Sequence, residues 1–273
     1  MKTRGGKGVN RNKGEVYFVG AGPGDPKLLT LRGAELLQEA DVIVYDRLVN
    51  VELLKHAKQG ADLIYCGKQP EVKCISQDEI NDILVFHGKR GLKVVRLKGG
   101  DSAVFGRVGE EAAACRQHGL SFEIVPGITS GIAAPAYAGI PLTHRELSSS
   151  FAVVTAHRRK DGRKDEIHWE GLATGVDTLV FYMGVKQIQI IQEKLILHGR
   201  SPSTPIAIIQ WGTCDVQKTV TGELATIVED LKTNTIASPA IIVVGEVVRL
   251  RDELAWFEAK LEDSALFQEA INV

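Results

Sequence analysis

The chain has 273 residues, of which 44% are hydrophobic and 25% are charged, and its formal net charge is -1. A chain of this length buries one large core or two modest ones, since domains commonly run to about 100–200 residues. The near-neutral charge gives no overall field that attracts DNA or an anionic membrane, so an anionic ligand has to be bound by local groups.

Targeting signals and metal-binding patterns are also weak. No apolar run reaches the roughly 18–20 residues that span a bilayer, and the N-terminus lacks the apolar stretch of a secretory signal. We therefore expect a cytoplasmic protein that binds neither membrane nor nucleic acid. Residues 1–14 are basic and rich in glycine and asparagine, which predicts a disordered tail. The four cysteines show neither C-x-x-C spacing nor a nearby histidine pair, so no metal site is expected.

From residue 15 onward, short β-branched runs alternate with segments of helical period. This pattern is typical of an α/β protein with a largely parallel sheet. The strands predicted in the first half are residues 16–19, 42–45, 63–65, 94–97 and 122–125. The helices predicted between them are residues 31–38, 77–87 and 110–117, and Ser76 with Glu79 predicts a capping box before the second.

The pattern changes after Pro141, where a polar stretch precedes a second set of strands. These strands are predicted at residues 151–155, 178–181, 205–209 and 240–244. We therefore predict an N-terminal α/β domain over residues 15–142 and a C-terminal α/β domain over residues 143–273. Apolar residues at helical spacing predict a further helix within residues 252–270, which would cover a domain or a dimer partner.

The first motif with chemical meaning is GAGPGDP at residues 20–26, directly after the first predicted strand. Glycines at a strand-to-helix turn can serve the turn alone. Pro23 and Pro26, however, restrict φ and remove amide donors that a pyrophosphate needs, which disfavours a nicotinamide dinucleotide site. The two prolines instead favour a stiff loop held against another ligand.

The second motif, RLKGGD at residues 96–101, also follows a strand. Open α/β sheets bind ligands outside the carboxyl ends of their strands. Paired glycines allow close approach of a ligand, and Asp101 could hold an ammonium group or a ribose hydroxyl. The alternative is that Asp101 caps a turn and that Arg107 pairs with Glu110 or Glu111 on the surface.

The third motif runs from VPGITS at residues 125–130 to GIPLTHR at residues 139–145. Its small residues allow close helix packing. Thr129 and Ser130 offer hydroxyl groups at a helix start, where they can cap the helix, bind a ligand or do both.

Together these three motifs resemble the uroporphyrinogen-III C-methyltransferases, within the tetrapyrrole methylase superfamily. The resemblance extends from about residue 16 to residue 248. It also includes YDRLV at 45–49, GK at 67–68, FYMGV at 181–185, GT at 212–213, SPA at 238–240 and GEVV at 245–248. Several long motifs in the same order are more specific than a single glycine loop.

The resemblance implies a fold and a reaction. The fold would be two α/β domains of the tetrapyrrole methylase type with the cofactor cleft between them, and the enzyme would be a homodimer. S-adenosyl-L-methionine would be the methyl donor and S-adenosyl-L-homocysteine its product. Two successive C-methylations of uroporphyrinogen III would give precorrin-2, on the branch toward sirohaem, cobalamin or haem d1.

The resemblance also implies roles for individual residues. The cofactor would be bound by Pro23, Gly99, Gly100, Asp101, Val104, Thr129, Ser130, Met183, Gly212 and Ala240. Asp46 matches the family's proposed general base and Lys68 its proposed general acid. From the residues alone, an Asx turn at Asp46 and a solvated Lys68 are the favoured interpretations, and the family match reverses that preference. The substrate carboxylates are predicted to be bound by Arg47, Arg107, His144 and Arg145, because these basic residues lie near the motifs in the sequence.

Two departures from the family pattern leave substrate choice open. Residues 69–74 lack the small-residue and histidine pattern, and Ser102-Ala103 replaces the usual proline and aromatic residue after Asp101. Alternatives are methylation of a later precorrin or of another substrate of the superfamily, a nicotinamide oxidoreductase, and a non-catalytic protein that binds S-adenosylmethionine. No appended dehydrogenase or ferrochelatase segment is recognised, which predicts a single activity.

Overall fold

The computed structural model describes residues 14–67, 75–156, 167–258 and 261. It divides into two compact units, each with its own sheet, which confirms the predicted α/β class. Among the described residues, the first unit comprises those within 14–22 and 26–128, and the second comprises those within 23–25 and 129–261. The predicted boundary between residues 142 and 143 therefore falls inside the second unit. Residues 1–13, which form almost all of the predicted tail, lie outside the described residues.

The first unit contains a parallel five-stranded sheet in the order β3-β2-β4-β1-β5. Its strands are β1 (Glu15–Gly20), β2 (Val42–Tyr45), β3 (Asp62–Tyr65), β4 (Lys93–Lys98) and β5 (Ser121–Val125). All five were predicted to within one residue at each end. In a parallel sheet the carboxyl ends of the strands share one edge, so the loops that follow them are neighbours.

Helices cover both faces of this sheet. They are α1 (Leu31–Glu39), α2 (Gln77–Lys89) and α3 (Val108–Gln117), with 3₁₀ turns at Pro26–Leu28 and Val51–His56. Val16 and Phe18 of β1 belong to one buried cluster, whereas Tyr17 and Val19 belong to another. Alternate residues of a strand point to opposite faces, so both faces of β1 are buried. The predicted capping box at Ser76 and Glu79 is present.

The second unit contains a mixed sheet in the order β6-β7-β10-β8-β9. Its strands are β6 (Phe151–Thr155), β7 (Thr178–Tyr182), β8 (Pro205–Gln210), β9 (Lys218–Glu223) and β10 (Ala240–Val244). Only β6 and β7 pair in parallel, and the other three pairs are antiparallel. The expectation of a largely parallel sheet is therefore wrong for this unit. Residues 211–217 join β8 to β9 directly, and so short a connection forms a hairpin, whereas a parallel pair needs a crossover.

The helices of the second unit include one that the predicted boundary assigned to the first domain. They are α4 (Ser130–Tyr137), α5 (Trp169–Gly175), α6 (Ile188–Leu197), α7 (Ile227–Thr233) and α8 (Arg251–Leu254), with 3₁₀ turns at Val185–Gln187 and Glu246–Leu250. Ala134 of α4 and Ala138, which follows the helix directly, are buried with Val180 and Val243 of the second sheet. This burial explains why residues 129–142 group with the second unit.

The predicted C-terminal helix is described only in part. Helix α8 ends at Leu254, and residues 257, 258 and 261 are again helical, whereas most of residues 259–270 lie outside the described residues. Within the described ranges, none of the helices is long and apolar enough to cross a membrane.

Backbone contact joins three strand ends of the first unit. Gly20 ends β1, Gly127 follows β5 by two residues, and Gly100 follows β4. A Cβ atom placed on Gly127 would lie 2.7 Å from the Cα atom of Gly20 and would also collide with the carbonyl oxygen of Gly100. A Cβ atom on Gly20 would lie 2.6 Å from the Cα atom of Gly127. No side chain fits at either position unless the backbone moves.

We predict that Gly127→Ala destabilises the protein by about 1–3 kcal/mol, because an added methyl group forces backbone atoms apart. The matched control is Gly109→Ala in α3, where an added Cβ atom meets nothing within 4 Å. That change should stabilise the protein by about 0.5–1 kcal/mol, since alanine favours a helix. Urea midpoints measure both effects, and similar midpoints for the two variants would contradict the close backbone packing.

Candidate functional site

The first two glycine motifs meet in the first unit. Gly22 N donates to Gly100 O at 3.1 Å, and Gly100 N donates to Gly22 O at 2.7 Å. Ala21 N also donates to Lys98 O at 2.7 Å, which continues the pairing of β1 with β4. Gly22 and Gly100 have φ values of 79° and 69°, a region that favours glycine. The loops after β1 and β4 are thereby fixed to each other by their backbones.

Asp101 fixes the turn that follows these glycines. Its Oδ1 accepts a hydrogen bond from Ala103 N at 2.7 Å, and its Oδ2 accepts one from Gly127 N at 2.9 Å. The carbonyl oxygen of Asp101 accepts from Val104 N at 3.2 Å. Asp101 therefore caps a turn, as the residues alone suggested, and it also ties the second motif to the third. A carboxylate offers about four acceptor positions, so two amide donors leave capacity for a ligand.

Asp46 lies at the carboxyl end of β2. Its Oδ1 accepts from Leu48 N at 3.0 Å, which is the Asx turn that the sequence allowed. Its Oδ2 lies 3.6 Å from a terminal guanidinium nitrogen of Arg96, and its side chain is 26% exposed. A Cβ atom on Gly99 would lie 2.7 Å from the Cβ atom of Leu48. The turn that carries Asp46 therefore packs against the second glycine motif.

A buried group of charges lies behind Asp46, and none of the sequence motifs indicated it. Glu111 of α3 accepts at Oε1 from Lys98 Nζ at 2.8 Å, from Arg96 Nε at 3.3 Å and from Gln77 Nε2 at 3.1 Å. Burial, and then the charge of Arg96, lower the pKa of Lys98 below its usual value. Arg96 and Lys98 carry two positive charges, so the carboxylates of Glu111 and Asp46 balance them.

The signal for this buried group was present in β4. Arg96 and Lys98 are two residues apart in β4, which places both on one face of the sheet, and the residues between Lys93 and Arg96 and between Arg96 and Lys98 are apolar. A pair of basic residues in a central strand needs a buried carboxylate, because an isolated buried charge is costly. The sequence could not show that Glu111, on the following helix, supplies it.

The basic residues of the first unit that were predicted to bind the substrate carboxylates lie on its surface. Arg47 is exposed, and a Cβ atom on Gly67 would lie 2.8 Å from the Arg47 backbone nitrogen. The Arg107 guanidinium donates twice to Glu110, at 2.8 and 2.7 Å, as the alternative interpretation predicted. Arg107 also has a φ of 58°. Lys68 and the departure at residues 69–74 lie outside the described residues.

In the second unit, the start of α4 is held by Tyr182. The Tyr182 hydroxyl lies 2.6 Å from Thr129 Oγ1 and accepts from Gly131 N at 2.5 Å. Ser130, which is the first residue of α4, lies between these two contacts. Met183 follows Tyr182 with a φ of 55° and is 50% exposed. The end of β7 and the start of α4 thus bring three of the predicted cofactor residues together.

Two more predicted cofactor residues lie beside the same helix and sheet. A Cβ atom on Gly212 would collide with the Cβ atom of Ala134 in α4 and lie 2.9 Å from its Cα atom. Ala240 pairs with Gln210, and Trp211 N donates to Pro239 O at 3.1 Å. Trp211 and Thr213 have φ values of 48° and 73°. Residues other than glycine rarely adopt such positive φ values, and those that do cluster at functional sites.

The segment Pro23–Asp25 also belongs to the second unit. Asp25 N donates to Thr213 Oγ1 at 3.0 Å, and the Tyr137 hydroxyl donates to Asp25 Oδ2 at 2.9 Å. Burial and the hydrogen bond to Asp25 raise the pKa of Tyr137 to about 12. Pro23 was predicted from the sequence as a cofactor residue, whereas Tyr137 was not singled out and Thr213 appeared only as part of the GT motif at residues 212–213. Both are separated from the glycine motif by more than a hundred residues.

His144 and Arg145 lie in the polar turn after α4. His144 N donates to Ser148 O at 2.9 Å, and its Nδ1 accepts from Glu146 N at 3.3 Å. The Arg145 side chain is exposed. Hydrogen bonds inside the turn therefore fix His144, whereas Arg145 faces solvent.

Comparison with known proteins gives a consistent result. The sequence model of the tetrapyrrole (corrin/porphyrin) methylases matches residues 15–228. A uroporphyrinogen-III C-methyltransferase of Priestia megaterium is 60% identical over 235 residues, covering 86% of this chain and 98% of that protein. A siroheme synthase of Pseudomonas aeruginosa is 48% identical over 92% of this chain, and the chain spans about half of it, 54%.

A solved structure agrees with this result. The crystal structure of the uroporphyrin-III C-methyltransferase of Thermus thermophilus complexed with S-adenyl homocysteine has a TM-score of 0.74 and 39% sequence identity. The match covers 87% of this chain and all of that one. The likeness therefore extends from sequence to fold.

We predict that Glu111→Gln destabilises the protein by about 3–5 kcal/mol, because it leaves two buried cations with too little negative charge. The matched control is Glu110→Gln on the same helix, whose partner Arg107 is more than half exposed. An exposed ion pair contributes at most about 1 kcal/mol, so the control should change little. Urea midpoints of the two variants compare the effects, and equal losses would rule out the buried charge balance.

Proposed function

The chain belongs to the tetrapyrrole (corrin/porphyrin) methylases, and we propose that it transfers two methyl groups from S-adenosylmethionine to carbon atoms of uroporphyrinogen III. The product is precorrin-2, a precursor of sirohaem and cobalamin. The observation that carries this proposal is the match to the uroporphyrinogen-III C-methyltransferase of Priestia megaterium, which covers 86% of this chain and 98% of that protein. The Thermus thermophilus structure supports the choice of cofactor, because its ligand is the demethylated product.

The residues proposed for the cofactor form one set in each unit. In the first unit, Gly99, Gly100, Asp101 and Val104 form a single turn. In the second unit, Pro23 lies in the segment held by Tyr137 and Thr213. The other five lie near α4 and the strand ends beside it, and they are Thr129, Ser130, Met183, Gly212 and Ala240. At Gly99 and Gly212 the absence of a side chain makes room for Leu48 and Ala134, and Asp101 keeps acceptor positions for an ammonium group or a hydroxyl group. These groups fit S-adenosylmethionine, which supplies an electrophilic methyl group when bound.

Positioning supplies most of the proposed rate acceleration. Holding the acceptor carbon in line with the methyl group contributes about 7–11 kcal/mol without strong acid or base groups. The acceptor carbon forms its new bond to the methyl group, the cofactor sulfur keeps the electron pair of the broken bond, and the macrocycle then loses a proton.

Asp46 is the proposed acceptor of that proton. Its carboxylate is partly exposed at the carboxyl end of β2, and its position is fixed by Leu48 N and Arg96. A positioned base adds about 10²- to 10⁴-fold. Lys68 remains the proposed general acid. The substrate carboxylates are proposed to bind Arg47, Arg107, His144 and Arg145, and Arg107 exchanges Glu110 for the substrate when it does so.

We also propose a homodimer in the cytoplasm, on the basis of the family resemblance. Several large apolar side chains are exposed on the described surface, including Leu31, Val51 and Leu197, and they are compatible with a protein partner. The mass of the protein in solution decides the oligomeric state.

Anaerobic incubation with uroporphyrinogen III and methyl-labelled S-adenosylmethionine should add two labelled methyl groups to the tetrapyrrole. Mass spectrometry of the product measures this directly. The same incubation with a later precorrin should give no labelled product. If label reaches only the later precorrin, the acceptor is wrong and the methyltransferase activity stands.

Asp46→Asn should lower kcat by about 10²- to 10⁴-fold, because an amide cannot take the proton. The dissociation constant of S-adenosylhomocysteine should stay nearly the same. Asp82→Asn makes the same change of charge on an exposed position of α2 and should leave both quantities unchanged. An unchanged kcat in Asp46→Asn would remove the assignment of the base.

A further inference from the structure

The C-terminal segment, residues 251–258, is connected to Pro23–Asp25 by two separate chains of contacts within the second unit. We propose that this segment positions Pro23–Asp25 and the neighbouring loop at Gly212 for S-adenosylmethionine. The inference rests on the proposed function, since it assigns a purpose to contacts around residues that we place at the cofactor.

The first chain of contacts is aromatic. The Tyr137 hydroxyl donates to Asp25 Oδ2 at 2.9 Å. The Tyr137 ring packs against Trp256 and Phe257, with ring centroids 4.9 and 4.8 Å apart. Trp256 Nε1 donates to the carbonyl oxygen of Ala136 at 3.0 Å, which anchors the segment on the last turn of α4. The C-terminal segment thus sets the position of the ring that holds Asp25.

The second chain of contacts is polar and reaches the same aspartate. Asp25 N donates to Thr213 Oγ1 at 3.0 Å, and Thr213 N donates to Gln217 Oε1 at 2.7 Å. Gln217 Nε2 donates to Glu258 Oε1 at 3.1 Å, and Arg251 pairs with the other oxygen of Glu258. Thr213 and Gln217 are both buried, so the hydrogen bond between them is shielded from competing water.

The two chains of contacts fix different atoms of Asp25. Tyr137 holds its carboxylate and Thr213 holds its backbone amide. Asp25 can therefore neither rotate nor shift unless one of these contacts breaks. Gly24 is enclosed as well, because a Cβ atom there would lie 3.0 Å from Thr213 Oγ1 and would collide with Cys214 Sγ. Pro23, the proposed cofactor residue, is thereby attached to a segment whose other two members are immobilised.

The same contacts hold the loop that carries Gly212. Thr213 has a φ of 73°, a conformation that costs a residue with a side chain and persists only where its surroundings impose it. Gln217 supplies one such constraint at Thr213 N, and Glu258 holds Gln217 in turn. The C-terminal segment lies beyond residue 228, where the match to the family's sequence model ends.

If the segment positions cofactor-binding residues, breaking its contacts should weaken cofactor binding while leaving the chemical step intact. Tyr137→Phe keeps the ring packing and removes one hydrogen bond to a carboxylate. We expect the dissociation constant of S-adenosylhomocysteine, measured by calorimetry, to rise about tenfold, the size of one such bond. Combining Tyr137→Phe with Glu258→Ala breaks both chains of contacts and should raise this dissociation constant about 10²-fold. At saturating S-adenosylmethionine, kcat should change by less than about twofold.

Two variants serve as controls. Tyr17→Phe removes a similar hydrogen bond, in which the Tyr17 hydroxyl donates to Glu15 at 2.7 Å in the first unit. Glu246→Ala removes the exposed partner of Arg249, which lies close in sequence to the C-terminal segment. Both controls should bind S-adenosylhomocysteine as tightly as the unmodified protein. Urea midpoints are measured for all variants, so that a loss of stability is recognised as such.

Each outcome separates the inference from the proposed function. Binding by the unmodified protein together with weaker binding in both Tyr137 variants supports the inference. If the unmodified protein binds S-adenosylhomocysteine and both variants bind it equally well, the inference is overturned and the function stands. Lower urea midpoints and a lower kcat at an unchanged dissociation constant would also overturn it, because the contacts would then be purely structural. If the unmodified protein binds none, both fail.

Discussion

Direct contact between backbones at the carboxyl ends of three parallel strands is the constraint on which the first unit depends. Gly20, Gly100 and Gly127 lie so close that no Cβ atom fits between them, and Gly22 pairs with Gly100 through two hydrogen bonds. Asp101 then accepts from Gly127 N, and all three sequence motifs are thereby held together. Space requires glycine at Gly20 and Gly127, and a positive φ favours it at Gly22 and Gly100.

Polar groups far apart in sequence complete what the glycines arrange. Arg96 connects the Asp46 carboxylate to the buried Glu111, so the position of a surface group depends on charges inside the unit. In the second unit, the Tyr182 hydroxyl joins the end of β7 to the start of α4, next to the exposed Met183. In both units a buried or half-buried polar side chain holds a residue that we assign to the reaction. Hydrogen bonds shielded from water are well suited to such positioning.

Prediction from sequence succeeded where local patterns are strong and failed where a distant partner decides. Strands β1 and β2 were found because they are almost entirely apolar and buried on both faces. Strand β9 was missed because it is mostly polar and only Val220 in it is buried. The domain boundary was placed at a change in composition, whereas α4 belongs with the second sheet through Ala134 and Ala138. The resemblance supplied the candidate residues, and their roles remain proposals.

The amino-acid sequence alone determined the α/β class, most strand positions, the glycine motifs and the family, because these depend on residue order over short stretches. Only the tertiary structure decided the mixed direction of the second sheet, the partner of the two basic residues in β4 and the attachment of Asp25 to Tyr137 and Thr213. These features join residues that are distant along the chain. Their contacts arise from burial and hydrogen bonding between packed elements, which no local pattern specifies.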